Sequence, residues 1–256
     1  MNENDIKLNF LKRVLTDTTY DERIREDFFR EKSYPEKSTM LSVIKKPVDL
    51  ERKKGMDWPE RAHTMIGLMR LDNLHFCLDQ IRTQRTEGDL LETGVWRGGA
   101  CIFMKCYLDL WGLSKKVFVA DSFQGLPPPE HEKDAGDGHH EVDFLRVSEQ
   151  QVRENFLAYG CGLEDVQFIK GWFSDTLLGN TDITKLAILR MDGDMYKSTM
   201  DVFESCYDKI QKGGFVIVDD FCIRNCNDAV MDFRARRNIH KPFTPVDVCG
   251  IYWQID

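Results

Sequence analysis

Five short apolar runs, separated by helical patterns, constrain the fold of this chain more than any other feature of its sequence. The predicted strands read DLLETG, KKVFVAD, VQFIKGW, LAILRMD and GGFVIVDD. The helical patterns between them lie near residues 98–112, 148–160, 174–179 and 198–210. Strands that alternate with helices are typical of a mostly parallel sheet with helices on both faces. The sequence therefore predicts a doubly wound α/β domain.

Segments on either side of this core complete the predicted architecture. A helix is predicted whose first turn contains Pro59 and whose apolar residues recur every three to five positions as far as Ile81. At the other end, FTPVDVCGIYWQI breaks at Cys249 and Gly250, which predicts an antiparallel hairpin at the sheet edge. Residues 1–58 are predicted to form a helical appendage, which includes the amphipathic stretch YDERIREDFFREK, and residues 59–256 form the main domain.

Charge and composition narrow the classes of function. The net charge is −8 and basic residues are dispersed among acids, so the electrostatic footprint of a nucleic-acid binder is missing. No apolar run is long enough to predict a membrane span. The N-terminus has no export or transit pattern, so we expect a cytoplasmic protein whose 8 cysteines are reduced thiols. A small-molecule partner is the expected one.

A glycine-rich loop follows the first predicted strand. The stretch ETGVWRGGA runs from Glu92 to Ala100, and its glycines permit a tight turn with exposed backbone N–H groups before a helix. Such a loop suits a nucleotide-like ligand. The spacing of Gly94 and Gly98 differs from the dinucleotide pattern G-x-G-x-x-G, and Trp96 is too bulky for a close pyrophosphate. A turn with a purely structural role is the alternative.

The next two strand ends carry residues suited to a nucleoside. Asp121 ends the second strand, where an acid can accept hydrogen bonds from ribose hydroxyls. Gly171, Trp172 and Phe173 follow the third strand and offer an aromatic edge for an adenine ring. A capping role for the aspartate and a core position for the aromatic residues are the alternatives.

Four acids follow the fourth and fifth strands. Asp192, Asp219 and Asp220 are expected to meet at one rim, because neighbouring parallel strands end on the same side. An all-oxygen set favours a hard cation such as Mg²⁺, with Ca²⁺ or Mn²⁺ as alternatives, whereas solvated capping aspartates would need no metal. Asp194 is a candidate general base beside such a cation, and Lys197 competes for that role.

The stretch EHEKDAGDGHHEVD, residues 130–143, concentrates histidines and acids in a loop. The spacing of its histidines, and of the cysteines elsewhere, does not supply a set of four zinc ligands. We interpret it as a lid over the active site, with His139 and His140 as candidate contacts to an acceptor. A solvated loop is the alternative interpretation.

Together these motifs resemble those of the TylF-type macrocin and mycinamicin sugar O-methyltransferases. The stretches AHTMIG, ETGVWRGGACIF, VADSFQG, GWF, LRMDGDMY, GGFVIVDDF and GIYW follow the family's order from about residue 59 onward. The resemblance implies a Rossmann-like class I methyltransferase that uses S-adenosylmethionine and Mg²⁺ to methylate a deoxysugar hydroxyl of a glycosylated natural product. It also implies that the N-terminal segment helps to close the acceptor pocket and mediates contacts in a dimer or tetramer.

The resemblance also assigns roles to individual residues. It implies that S-adenosylmethionine is bound by Thr64, Glu92, Thr93, Gly94, Val95, Trp96, Asp121, Ser122, Gly171 and Trp172. Within that set, Thr64 would lie near the methionine part, Ser122 at the ribose and Trp172 beside the adenine. The implied metal ligands are Asp192, Asp219 and Asp220, and the implied base is Asp194.

Two other functions are weighed against this one. An O-methyltransferase of a catechol-like or polyketide diol belongs to the same class, because a vicinal diol of any kind can chelate the cation. A nucleotide-binding protein without catalysis belongs to a different class. Four acids at one rim argue against it, because their mutual repulsion has no compensation in a simple binding module.

Overall fold

A seven-stranded sheet organises the chain in the computed structural model, which describes residues 2–19 and 50–256. The strands are β1 (Asp89–Thr93), β2 (Val117–Asp121), β3 (Val166–Lys170), β4 (Leu186–Met191), β5 (Ile210–Val218), β6 (Thr244–Pro245) and β7 (Ile251–Gln254). Their order is β3-β2-β1-β4-β5-β7-β6. Strands β1 to β5 are parallel, whereas β7 is antiparallel to both β5 and β6. The predicted doubly wound sheet and terminal hairpin are confirmed.

Helices cover both faces of this sheet. They are α1 (Glu3–Leu15), α2 (Leu50–Lys54), α3 (Leu68–Gln84), α4 (Gly99–Trp111), α5 (Glu149–Ala158), α6 (Phe173–Thr176), α7 (Tyr196–Cys206) and α8 (Arg224–Arg236). Side chains of α1, α3, α4 and α5 pack in the core on one face, and those of α7 and α8 pack on the other. Burial on both faces explains why the strands are continuous apolar runs. Among these helices, none is both long and apolar enough to cross a membrane.

The strand order reverses between β1 and β4. From β1 the chain continues to β2 and β3 on one side, and β4 and β5 lie on the other side. The two connections leave in opposite directions, which opens a crevice beyond the carboxyl ends of β1 and β4. The glycine-rich loop after β1 and the acidic turn after β4 therefore face the same space.

The prediction that this helix starts at Pro59 is wrong. Helix α3 begins at Leu68 after the N-cap residue Gly67, and the chain before it is irregular. Buried Arg52 explains the difference, because its Nη2 donates to the carbonyl oxygens of Met65 and Ile66, each at 2.6 Å. Those oxygens therefore lack helical partners, and Met65 lines a cavity instead of a helix face.

Helix α1 is attached to the main domain by buried contacts. Leu8 and Leu15 are fully buried in the core beside α3 and α4, and Lys12 donates to Asp72 at 2.7 Å. The division of the chain at residue 58 stays a prediction. The second amphipathic segment of the predicted appendage, residues 20–32, lies outside the described residues.

Four cysteines lie in two close pairs in the structure. Cys106 lies beside Cys161 and Cys222 lies beside Cys249, with Cα–Cα distances of 6.4 and 4.4 Å, whereas the other four cysteines are free. The expectation of reduced thiols stays a prediction. The paired cysteines are 55 and 27 residues apart, so only the folded topology brings them together.

Candidate active site

A cavity with an empty volume of about 1250 Å³, partly open to solvent, lies at the carboxyl end of the sheet. Its wall includes nine of the ten residues predicted to bind the cofactor, namely Thr64, Glu92, Gly94, Val95, Trp96, Asp121, Ser122, Gly171 and Trp172. The tenth, Thr93, lies beneath the cavity, where its hydroxyl contacts the backbone carbonyl of Arg190 at 3.5 Å. Asp192 and Asp194 line the same cavity. The structure thus brings the glycine-rich loop and the acidic turn together.

Gly94 allows the loop after β1 to lie against the strand that carries Asp192. Its φ is +82°, and a Cβ at this position would overlap the carbonyl oxygen of Asp192. Gly99 has a similar role on the other side, because its Cβ would overlap the carbonyl oxygen of His63 and the side chain of Thr64. Close backbone approach therefore accounts for these two glycines without any ligand.

We expect Gly94→Ala to lower the free energy of unfolding by at least about 3 kcal/mol, because it combines an unfavourable φ with backbone overlap. Gly136→Ala is the matched control. Its φ is +88°, but a Cβ there meets nothing within 4 Å. We expect that control to cost only about 1–2 kcal/mol. Urea unfolding of both variants measures the difference, and equal losses would contradict the overlap.

Asp121 fixes the conformation of the glycine-rich loop. Its Oδ2 accepts a hydrogen bond from the backbone N–H of Val95, and its Oδ1 accepts one from Phe123, both at 2.7 Å. Burial raises the pKa of this carboxyl, and the backbone N–H groups oppose that shift. The Trp96 backbone N–H and, at 3.5 Å, the Ser122 hydroxyl also donate to this carboxylate, so any ligand hydroxyl would share its lone pairs with protein donors.

Asp192, Asp219 and Asp220 form a cluster at the rim, as the parallel topology predicts. Each offers one carboxylate oxygen, and these oxygens all lie within 4.8 Å of one another. Burial, followed by repulsion from Asp219, raises the pKa of Asp192 to about 6. Burial and repulsion from Asp194 raise the pKa of Asp220 well above its ordinary value. The neighbouring arginines therefore do not fully offset the repulsion among these acids, and the oxygen ligands of the cluster fit a hard divalent cation.

Asp194 stands on the turn beside this cluster. Its φ of 55° is left-handed, a conformation that aspartate tolerates better than most residues. Its backbone N–H donates to Asp220 at 3.3 Å. Burial and repulsion from Asp192 raise the pKa of Asp194 to about 7, and the nearby His139 imidazole opposes the rise. A carboxyl with this pKa can accept a proton near neutral pH.

Lys197, the alternative base, is held by another acid. Its Nζ donates to both carboxylate oxygens of Asp201 at 2.6 Å, one helical turn along α7. The amine is therefore engaged by a neighbouring carboxylate, which makes Lys197 the weaker candidate for the base.

The loop of residues 130–143 is anchored to α7 by a buried acid. The Asp134 carboxylate accepts the backbone N–H groups of Tyr196 at 2.7 Å and Lys197 at 3.0 Å, so it caps the helix. Within the described part of the chain, His139 and His140 are not among the residues that line the cavity. His139 interacts electrostatically with Asp194. The backbone carbonyl of His140 accepts a hydrogen bond from Arg146 Nη2 at 2.8 Å.

Arg190 is a site residue that the sequence reasoning missed. It is only 1% exposed. Its Nη1 donates to Glu92 and, at 2.8 Å, to Asp192, and its Nη2 donates to Asp219 at 2.6 Å. The available signal was an arginine inside the buried run LAILRMD, because a charge in such a strand needs partners.

Arg70 and Asp247 are also missed residues. Arg70 is buried at the start of α3, where its Nη1 donates to Asp219 and its Nε donates to Asp247 at 2.8 Å. Asp247 also accepts the backbone N–H groups of Cys249 and Gly250, at 2.8 and 2.7 Å. The terminal hairpin is therefore tied to a residue of the acidic cluster.

Comparison with known proteins identifies a family and several similar proteins. The family described as macrocin-O-methyltransferase (TylF) matches residues 4–255. An 8-demethyl-8-(2,3-dimethoxy-alpha-L-rhamnosyl)-tetracenomycin-C 4'-O-methyltransferase of Streptomyces olivaceus is 40% identical, over 98% of this chain and 92% of its own length. The mycinamicin III 3''-O-methyltransferase of Micromonospora griseorubida is 42% identical, over 81% and 84%. The solved O-methyltransferase NovP superposes with a TM-score of 0.83 at 39% identity, covering 99% of both chains.

Proposed function

The chain belongs to the macrocin-O-methyltransferase (TylF) family, and from that premise we propose that it transfers a methyl group from S-adenosylmethionine to a sugar hydroxyl of a glycosylated natural product in the presence of Mg²⁺. The observation that carries the proposal is the cavity shared by Asp192, Asp194 and the glycine-rich loop. The relatives support the substrate class, because one of them acts on a rhamnosyl-tetracenomycin and another on mycinamicin III.

The cavity wall provides complementary groups for each part of S-adenosylmethionine. Gly94 and Val95 present backbone at the loop, Asp121 offers a carboxylate to the ribose, and Trp172 offers an aromatic face to the adenine. Thr64 also lines the cavity, and we assign it to the methionine part. The cofactor supplies a methyl group on a positively charged sulfur.

Asp192, Asp219 and Asp220 are the proposed ligands of Mg²⁺. A cation held there would polarise the acceptor hydroxyl and orient it together with a neighbouring oxygen of a vicinal diol. Arg190 and Arg70 already contact Asp219, and Arg190 also contacts Asp192, so the ion would share these two ligands with the arginines.

Asp194 is the proposed general base. S-adenosylmethionine held by the cavity wall would supply its methyl group to the acceptor oxygen as the carbon–sulfur bond breaks, and would leave as the neutral thioether S-adenosylhomocysteine. Asp194 takes the hydroxyl proton, so the carboxylate charge is lost together with the positive charge on sulfur. Lys197 is a weaker candidate, because its amine is paired with Asp201.

Isothermal titration of the wild-type protein with S-adenosylhomocysteine tests the cofactor part of this proposal. We expect saturable one-to-one binding, because the cavity and its polar groups are already formed. A protein that binds no S-adenosylhomocysteine at high protein concentration would contradict the methyltransferase proposal.

The raised carboxyl pKa values predict how stability depends on pH. The pKa values are about 7 for Glu92, about 6 for Asp192 and about 7 for Asp194. The folded protein therefore holds protons more tightly than the unfolded chain, whose carboxyl pKa values lie near ~4. Without a divalent cation, stability should fall as pH rises from about 4 towards about 7, and then level off.

Mg²⁺ should reverse this loss, because it binds the deprotonated acids. We expect it to raise the thermal midpoint more at about pH 7.5 than at about pH 5.5. Thermal unfolding with Mg²⁺ or with a chelator measures this difference, and Asp143→Asn, at an acid with a 90% exposed side chain, is the control. A Mg²⁺ effect of equal size at both pH values would argue against binding at the buried acids.

A further inference from the structure

One buried guanidinium links the proposed cofactor loop to the proposed metal ligands. Arg190 contacts Glu92 in β1, Asp192 after β4 and Asp219 after β5. Its side chain is 2% exposed, and the side chains of Glu92 and Asp219 are 3% and 5% exposed. Three acids at the ends of adjacent strands therefore share one cation, with Glu92 and Asp219 buried and the Asp192 side chain 28% exposed.

The geometry of this contact makes Arg190 more than a counterion. A planar guanidinium donates in fixed directions, whereas an ammonium is a compact point charge. Nη1 is divided between Glu92 and Asp192, and Nη2 holds Asp219. A change in the position or charge of Asp192 or Asp219 therefore alters how Arg190 holds Glu92.

We propose that Arg190 is a positioning residue through which Mg²⁺ binding and cofactor binding depend on each other. This inference rests on the proposed function. A divalent cation at Asp192 and Asp219 would take over the neutralisation of these acids. Arg190 would then hold Glu92 in one orientation, and the cofactor would bind to a loop that is already ordered.

The coupling has a predicted sign and size. Mg²⁺ should tighten the binding of S-adenosylhomocysteine by about fivefold, which lies within the usual range of coupling between sites. Reciprocity requires that S-adenosylhomocysteine tighten Mg²⁺ binding by the same factor. S-adenosylhomocysteine is a suitable probe because it is the neutral thioether product, so direct repulsion between a sulfonium and the ion does not contribute.

The experiment compares dissociation constants for S-adenosylhomocysteine, measured by calorimetry with saturating Mg²⁺ and with a chelator. Arg190→Lys keeps the charge but removes the planar fork, so the ratio of the two constants should fall from about five towards one. Arg70→Lys is the matched control, because Arg70 contacts Asp219 but has no hydrogen bond to Glu92 among the described residues. It should change Mg²⁺ affinity and keep the ratio.

Each outcome decides the inference. The inference would be overturned if Mg²⁺ did not change the affinity of the wild type for S-adenosylhomocysteine, or if folded Arg190→Lys kept the full coupling. In both cases S-adenosylhomocysteine binding would still support the proposed function. Absence of S-adenosylhomocysteine binding in the wild type would overturn both. If Arg190→Lys does not fold, Glu92→Gln serves instead, because it breaks the contact between Arg190 and the glycine-rich loop. This variant should also abolish the coupling between Mg²⁺ and S-adenosylhomocysteine. Coupling that persists in Glu92→Gln would overturn the inference.

Discussion

Asp194→Asn should lower kcat by about 10²–10⁴-fold, which is the usual contribution of a positioned general base. An amide of nearly the same shape cannot accept the acceptor's proton at neutral pH. Asp194 has a left-handed backbone conformation and lies beside the cluster of Asp192, Asp219 and Asp220, and burial together with repulsion from Asp192 raises its pKa to about 7. Single-turnover methyl transfer, measured with saturating cofactor and Mg²⁺, isolates the chemical step.

Binding measurements on the same variant separate a lost base from a damaged site. The affinities of Asp194→Asn for S-adenosylhomocysteine and Mg²⁺ should stay within about threefold of wild type. Lys197→Met is the comparison variant, because Lys197 competes for the role of base and is paired with Asp201. A larger loss of rate in Lys197→Met than in Asp194→Asn would reverse the assignment of the base.

Asp192→Asn should weaken Mg²⁺ binding by about 100-fold or more and reduce turnover accordingly, because an amide oxygen carries no negative charge. Cofactor binding should largely survive in the absence of Mg²⁺. Calorimetric titration with Mg²⁺ measures the first effect, and titration with S-adenosylhomocysteine in a chelator measures the second.

Asp182→Asn, at an exposed acid outside the cluster, is the control for Asp192→Asn and should change neither affinity. The two variants Asp192→Asn and Asp194→Asn are expected to fail for different reasons, loss of the ion and loss of the base. If Asp192→Asn bound Mg²⁺ as the wild type does, the three-carboxylate site would be excluded as the functional metal centre.

The features predicted from sequence are those that depend on local pattern and on parallel topology. Apolar runs of strand length, alternating with helices, fixed the five parallel strands, and Gly250 with its neighbours indicated the hairpin. Once the order of strands is known, residues after neighbouring strands must meet. The cluster of Asp192, Asp219 and Asp220 was predictable for that reason.

The features that escaped prediction depend on contacts between distant parts of the chain. Helix α3 begins at Leu68 rather than Pro59, because Arg52 takes carbonyl oxygens that a helix would use. The Arg70 contacts to Asp219 and Asp247 span 149 and 177 residues of sequence. No periodicity or motif encodes such separations.

Methyl transfer to a defined acceptor is the most direct test of the central claim. Purified protein, S-adenosylmethionine labelled in its methyl group and a panel of glycosylated macrolides and simple diols are incubated with Mg²⁺ or with a chelator, and products are followed by mass spectrometry. We predict one added methyl on a sugar hydroxyl next to a second hydroxyl, and little product in the chelator. No transfer to any glycosylated acceptor, or transfer at the same rate without a divalent cation, would contradict the account.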